Sequence, residues 1–265
     1  MKFAKRLLAL AAGILLMCPV TAYAAPSETA TDALERVMEQ QAAVDSINAF
    51  YDFDLNMSGS MMEELGTDSL SMRMEMNVKM SGLKDPSQMK YMTYYRITAP
   101  GGEQMTGSTY YVGGYMYTDS LGMKYRYPMD MTDAMTQAMS VSDPVGASME
   151  YIKDVSLRPE GKNAVIDYTM NTFKINDLVR QVLDSAGMAG MTDAMTFGID
   201  SARGSYVINP DGLCEKQYMS MIMGMSMDGE DLRMTIDGDI GIADPGQPVE
   251  VPMPNPAEYQ EMALY

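Results

Sequence analysis

From Tyr51 the chain alternates: Tyr51, Phe53, Leu55 and Met57 stand on one side, Asp52, Asp54, Asn56 and Ser58 on the other. The stretch "SMRMEMNVKMS" (71–81) repeats the scheme, with Met72, Met74, Met76, Val78 and Met80 opposite Arg73, Glu75, Asn77 and Lys79. A side-chain period of two is that of a β-strand. Strict apolar/polar alternation predicts an antiparallel sheet with one face against a core and the other in water. Further strands are predicted near 89–98 and 104–112, at 115–118 after the "VGG" turn (112–114), and at 123–127. A hairpin is expected at 152–170, turning at "RPEGK" (158–162), with Ile166, Tyr168 and Met170 sharing a face. The Pro and Gly of "NPDG" (209–212) mark a turn, and a last hairpin pairs 214–227 with 232–242 through "DGED" (228–231).

Three stretches switch to helical spacing. "DALERVMEQQAAV" (32–44) puts Leu34, Val37, Met38 and Gln41 on a narrow stripe, with Thr31 as the expected N-cap and Asp32 and Glu35 near the positive helix end. "PMDMTDAMTQAMS" (128–140) sets Met131, Met135 and Ala138 on one side, and "NDLVRQVLDSAG" (176–187) stops at Gly187. The hexapeptide "MTDAMT" occurs at 131–136 and 191–196, but its flanks do not match, so no duplication is read from it. About eleven strands and three or four helices with no βαβ alternation exclude a doubly wound nucleotide-binding fold. The expected class is α+β: a single, strongly curved antiparallel sheet with helices on one face, since so long a sheet must curl or close. The tail "PGQPVEVPMPNPAEY" is proline-rich and expected to run extended along the surface.

The N-terminus changes the picture. Lys2, Lys5 and Arg6 precede an apolar run (7–17), and "AYA" (22–24) offers small residues before Ala25. That is the pattern of a secretory signal peptide cleaved near Ala24/Ala25, which makes 1–24 the signal, 25–31 a short linker and 32–265 one domain. A lipid anchor at Cys18 is not expected, because Met17 rather than a small residue precedes it. Removing the three basic residues of the signal takes the formal charge from −17 to −20. This argues against nucleic acid and anionic membrane surfaces as partners. No second apolar run is long enough to span a membrane. Cys214 is the one cysteine left, so no internal disulfide is expected.

Chemistry is sparsely signalled. The chain has no histidine and no tryptophan, which removes Ser-His and Cys-His catalysis and the usual catalytic zinc sites. No phosphate-cradling glycine loop occurs, and neither a cofactor nor a catalytic residue is assigned. "DGD" (237–239) lacks the ligand-rich loop of a calcium site and is read as a solvated strand end. Lone Cys214 is read as a buried, inert thiol.

What stands out is methionine, 32 of 265 residues. "YMSMIMGMSM" (218–227) places one at every odd position from Met219 to Met227. Three readings compete. Thioethers are soft ligands for Cu(I), though no cysteine or histidine lies in these runs. A flexible, polarizable side chain suits a surface that adapts to greasy ligands. Or methionine simply stands in for leucine in a core. On the ligand reading the binding residues are Met72, Met74, Met76, Met219, Met221, Met223 and Met225; on the core reading this is an envelope-interaction or structural protein without a ligand.

An N-terminal helix ending "AAVDS" (42–46), the strand at 51–57, and "YYVGGYMYTDSLGMKYRY" (110–127) together resemble the LolA/LppX-like superfamily, and in particular exported Gram-positive proteins of that fold. The matching residues of its tyrosine-rich hairpin and following strand are Tyr111, Gly114, Tyr117, Gly122 and Lys124, and "VEVP" (249–252) is similar to its closing segment. The resemblance implies a half-open β-barrel whose concave apolar face, partly covered by helices, holds the acyl chains of lipids or lipoproteins. It also implies an extracytoplasmic, non-enzymatic carrier of the cell envelope.

Overall fold

The computed structural model of the chain describes residues 29–129, 149–177, 195–227 and 229–262. The signal segment and most of the helices expected at 128–140 and 176–187 lie outside the described residues. The described part is mostly β, with twelve strands in one sheet: β1 (Ser46–Ser58), β2 (Ser69–Ser81), β3 (Lys90–Thr98), β4 (Gln104–Val112), β5 (Tyr115–Ser120), β6 (Met123–Pro128), β7 (Ile152–Glu160), β8 (Asn163–Met170), β9 (Met195–Ile208), β10 (Cys214–Met227), β11 (Glu230–Ile242) and β12 (Gln260–Glu261). Their order across the sheet is 12-6-5-4-3-2-1-11-10-9-8-7. Two meanders, β1 to β6 and β7 to β11, therefore meet where β1 pairs with β11. All ladders are antiparallel except the two-residue β12·β6 ladder.

The period-two pattern becomes a two-faced sheet. On β1, Ala49, Tyr51, Phe53 and Met57 are buried while Asp54, Asn56 and Ser58 are exposed. The main core gathers the odd positions of β1 with Met221, Met223 and Met225 of β10 and Leu232, Met234, Ile236 and Ile240 of β11. Helix α1 (Ala30–Ala43) lies at the β7–β8 end. Its Ala33, Leu34 and Val37 pack with Ile166, Tyr206, Ile208 and Cys214 in a second core. The helix starts earlier than expected because Thr29, not Thr31, caps it. The Thr29 hydroxyl accepts the Asp32 N–H at 3.2 Å, and the Asp32 carboxylate accepts the Thr29 N–H at 3.3 Å.

Other departures from the expectations have local causes. The sheet has twelve strands rather than about eleven, because the tail adds β12 beside β6. The turn expected at 158–162 is shorter, with Arg158 to Glu160 still in β7. Pro159 is tolerated there because β7 is an edge strand. Pro128 closes β6. The helix expected from Asn176 already runs at 172–177, started by the Asn171 side chain accepting the Lys174 N–H at 3.3 Å. The Asn176 amide instead bridges to β9, donating to the Ile199 carbonyl at 3.2 Å and accepting the Ile199 N–H at 2.6 Å. "DGD" is not a strand end: Gly238 lies in the middle of β11.

Two hairpins turn on two residues with positive φ, Gly113–Gly114 at 58° and 78° and Leu121–Gly122 at 53° and 77°. Such turns match the twist of the strands they join.

Candidate functional site

The register lines the apolar side chains up in rows across the strands. One row runs Leu70, Met57, Met234, Met223 and Ile199; the next runs Met72, Leu55, Ile236, Met221 and Ala202. A third runs Met74, Phe53, Gly238, Met219, Gly204 and Tyr168, and a fourth Met76, Tyr51, Ile240, Gln217, Tyr206 and Ile166. All seven methionines expected to bind ligand therefore share one face. They stand in two groups, on β2 and on β10, separated by β1 and β11.

The two groups differ in cover. Met221, Met223 and Met225 are buried, Met223 to 1 % exposure. Met72, Met74, Met76 and Met219 are half-buried and pack against that core from outside. The half-open region continues onto β3 and β4, where Met74 pairs with Ile97 and then Met105, and Met76 with Tyr95. Ile97, Tyr95 and Met105 are all half-buried. The sequence reading missed these three because β3 and β4 mix tyrosine and threonine into the pattern. Tyr95 and Ile97 do stand two apart, which was the available signal.

Glycine thins the third row at Gly238 and Gly204, and the fourth where it continues through Tyr95 to Gly107 on β4. The Phe53 ring lies across Gly238, the Tyr168 ring across Gly204, and the Tyr95 ring across Gly107; a Cβ at any of the three would overlap the ring. Met219, directly between Gly238 and Gly204, thus sits in a gap bordered by the aromatic side chains on either side.

Polar groups on this face are few. Gln217 is fully buried and donates its amide to the Tyr168 hydroxyl at 3.2 Å. Thr93 donates to the Tyr91 hydroxyl, and burial pushes the Tyr91 phenol up despite that bond. Cys214 is wholly buried. Burial pushes its thiol up to about 12, against the hydrogen bonds with the Lys216 and Val207 backbone, so at neutral pH it is protonated and a poor nucleophile.

The opposite face carries a groove of about 730 Å³ over the same strands, lined by Asp52, Asp54, Asp237, Asp239, Asp167, Arg203 and Tyr218 among others. Several of these carboxylates have cationic neighbours: Arg73 on Asp52, Lys216 at 3.7 Å from Asp239, and Arg158 at 2.8 Å from Asp167. Among the described residues no cluster of three or more carboxylate or thiol groups is arranged to hold a metal ion. Among the same residues no helix is long and apolar enough to cross a membrane.

Residues 29–254 match the model of a family described as "Family of unknown function (DUF6612)". No curated protein matches the chain. Among solved structures it is similar to the Mycobacterium tuberculosis lipoprotein LppX, at 10% identity and a TM-score of 0.36 over 81% of this chain and 93% of that one. It is also similar to a β-barrel-like protein of the DUF1849 domain from Brucella abortus, at 11% identity and a TM-score of 0.26 over 76% of this chain and 100% of that one.

Proposed function

The chain belongs to the DUF6612 family of unknown function, and we propose that within it this protein is an exported, non-enzymatic carrier that holds a hydrophobic ligand, an acyl chain or lipid, on its methionine face. The observation that carries this reading is the half-open stretch at β2 to β4. There Met72, Met74, Met76, Tyr95, Ile97 and Met105 are neither in water nor in a closed core. A face of that kind leaves apolar area to be covered, at about 25 cal/mol per Å² removed from water. Flexible thioethers adapt to chains of different shape. On this reading Met219 meets the ligand from the β10 side, while Met221, Met223 and Met225 form the floor beneath it. The signal peptide, cleaved before Ala25, delivers the protein to the cell envelope or medium without a lipid anchor of its own.

Titration with a fluorescent fatty acid tests the reading, with native mass spectrometry of protein from its own host to identify what is carried. Saturable binding is expected, weakened at least tenfold, about 1.4 kcal/mol, by replacing Met72, Met74 and Met76 together with serine. Wild type that shows no saturation with any acyl probe, and no co-purifying lipid, would favour a plain structural core.

A further inference from the structure

Resting on the binding reading above, we propose that Met72, Met74 and Met76 are an oxidation site that controls ligand binding: a hydroperoxide converts their thioethers to sulfoxides, and the face releases its ligand while the sheet stays folded.

The chain's redox chemistry converges on methionine. It has no tryptophan or histidine. Its cysteine beyond the signal, Cys214, is a wholly buried thiol. The thioethers are then graded by exposure. Met253 and Met262 are 57% and 49% exposed and lie in the tail, outside the rows of the apolar face. Met62, Met223 and Met234 are 3%, 1% and 4% exposed. Met72, Met74 and Met76 stand between these extremes, and they alternate along one strand so that all three enter the same half-open surface.

In the reaction the sulfur lone pair attacks one oxygen of hydrogen peroxide. An S–O bond forms as the O–O bond breaks, and the departing hydroxide takes the proton of the sulfur-bound oxygen and leaves as water. The sulfur loses two electrons and the peroxide gains them. The product is a polar, chiral group in place of a flexible apolar one. On β2 it costs little folding, because these side chains already meet water. It does remove the apolar contact on which an acyl chain depends. Sulfoxide reductases that draw on a dithiol reverse the step, so the site has a return path.

The experiment is a hydrogen peroxide titration of the folded protein, read by peptide mass mapping, a thermal melt and fluorescent fatty acid binding at each step. The expected order is Met253 and Met262 first with binding unchanged. Met72, Met74 and Met76 follow, with at least tenfold weaker binding and an intact melt. The variant M72L/M74L/M76L is compared only with itself, and its loss of affinity to peroxide is expected to be several-fold smaller than that of wild type, the remainder coming from the half-buried Met105 and Met219. Reduced wild type that binds no probe sinks the binding reading and this inference with it. Reduced wild type that binds, but keeps its affinity once the three sulfoxides are mapped, sinks this inference alone. So does a triple variant that loses as much binding to peroxide as wild type, or Met223 and Met234 oxidising as fast as the β2 methionines.

Discussion

The ring of Phe53 lies across Gly238, its partner in the β1·β11 ladder, in the space that a Cβ at position 238 would need. Phe53 is 1% exposed, so it has nowhere to retreat. Gly238→Ala is expected to destabilise the protein by about 1–3 kcal/mol, the usual cost of overpacking a filled core. Gly241→Ala, three residues on in the same strand, is the control: nothing lies within 4 Å of its would-be Cβ. It is expected to stay within about 0.5 kcal/mol of wild type. Urea unfolding of both variants makes the comparison; equal losses would refute the account of Gly238.

That pair also marks how far the sequence could be read. The alternation of β1, β2 and β11 is legible because each strand keeps one parity throughout, and α1 is legible from its apolar spacing. β9 is not. Its core residues are Ile199 and then Ala202 and Tyr206, and the change of parity comes from a bulge at Asp200, where Met223 pairs with Ile199 but Ile222 with Ser201. A pattern search with a fixed period loses such a strand. Gly238 was visible only as part of "DGD", because the ring that requires a glycine there comes from the other end of the chain. The methionines of β2 and β10 look alike in sequence. Which are half-open and which are buried depends on what lies over them, and no local pattern carries that.

Leu121 holds φ at 53° in the β5–β6 turn with 70% of its surface exposed. It bears the cost of the left-handed region, about 1–2 kcal/mol for an ordinary residue, and gains little burial in return. Leu121→Asn, giving the Asn-Gly pair such turns prefer, is expected to raise stability and lift Tm by a few degrees, on the scale of roughly 2–4 °C per kcal/mol for a chain near this size. A melting temperature unchanged or lowered in differential scanning calorimetry would contradict the strain at Leu121.

The C-terminal strap offers a test of packing against charge. Tyr259 meets Tyr117 edge-on at 5.2 Å between centroids, and Tyr117 is 5% exposed beneath it. Beside them Glu258 accepts from Lys124 at 2.6 Å and Glu261 from Arg126 at 2.8 Å, both carboxylates in solvent. Exposed ion pairs contribute about 0–1 kcal/mol, whereas an aromatic pair adds about 0.5–1.5 kcal/mol beyond its buried area. Tyr259→Ala is therefore expected to loosen the strap more than Glu258→Gln, read as amide hydrogen exchange at Met262, whose N–H bonds the Arg126 carbonyl at 2.8 Å. The reverse order would assign the strap to electrostatics.

Partial burial pushes the Asp167 carboxyl up, but the Ser205 hydroxyl at 2.6 Å and the Arg158 guanidinium at 2.8 Å outweigh it and hold the group below the usual range. A carboxyl that binds its proton less readily in the folded state adds stability above its unfolded value, about 4. That stability is lost as the pH falls through the lower folded value. Asp167→Asn is expected to be less stable than wild type at pH 7 and to lose less on acidification below pH 4. Parallel pH–stability curves for the two proteins would show that Asp167 contributes nothing to acid sensitivity.

The meeting of β1 with β11 sets the timing of folding. Apart from the two-residue ladder at β12, every other pairing joins strands consecutive in the chain. The first meander can therefore zip up as it emerges, but the inner side of β1 stays an open edge until β11 arrives. Closing so long a loop costs only logarithmically more entropy than closing a short one, yet it cannot happen before about nine-tenths of the chain exists, since β11 ends at Ile242. If the chain crosses a membrane N-terminus first, it does so with Tyr51, Phe53 and the β2 methionines uncovered. An exposed apolar edge at that stage invites pairing with a second copy. Successful production of this protein then depends on how fast its C-terminus follows, more than on how stable the finished sheet is.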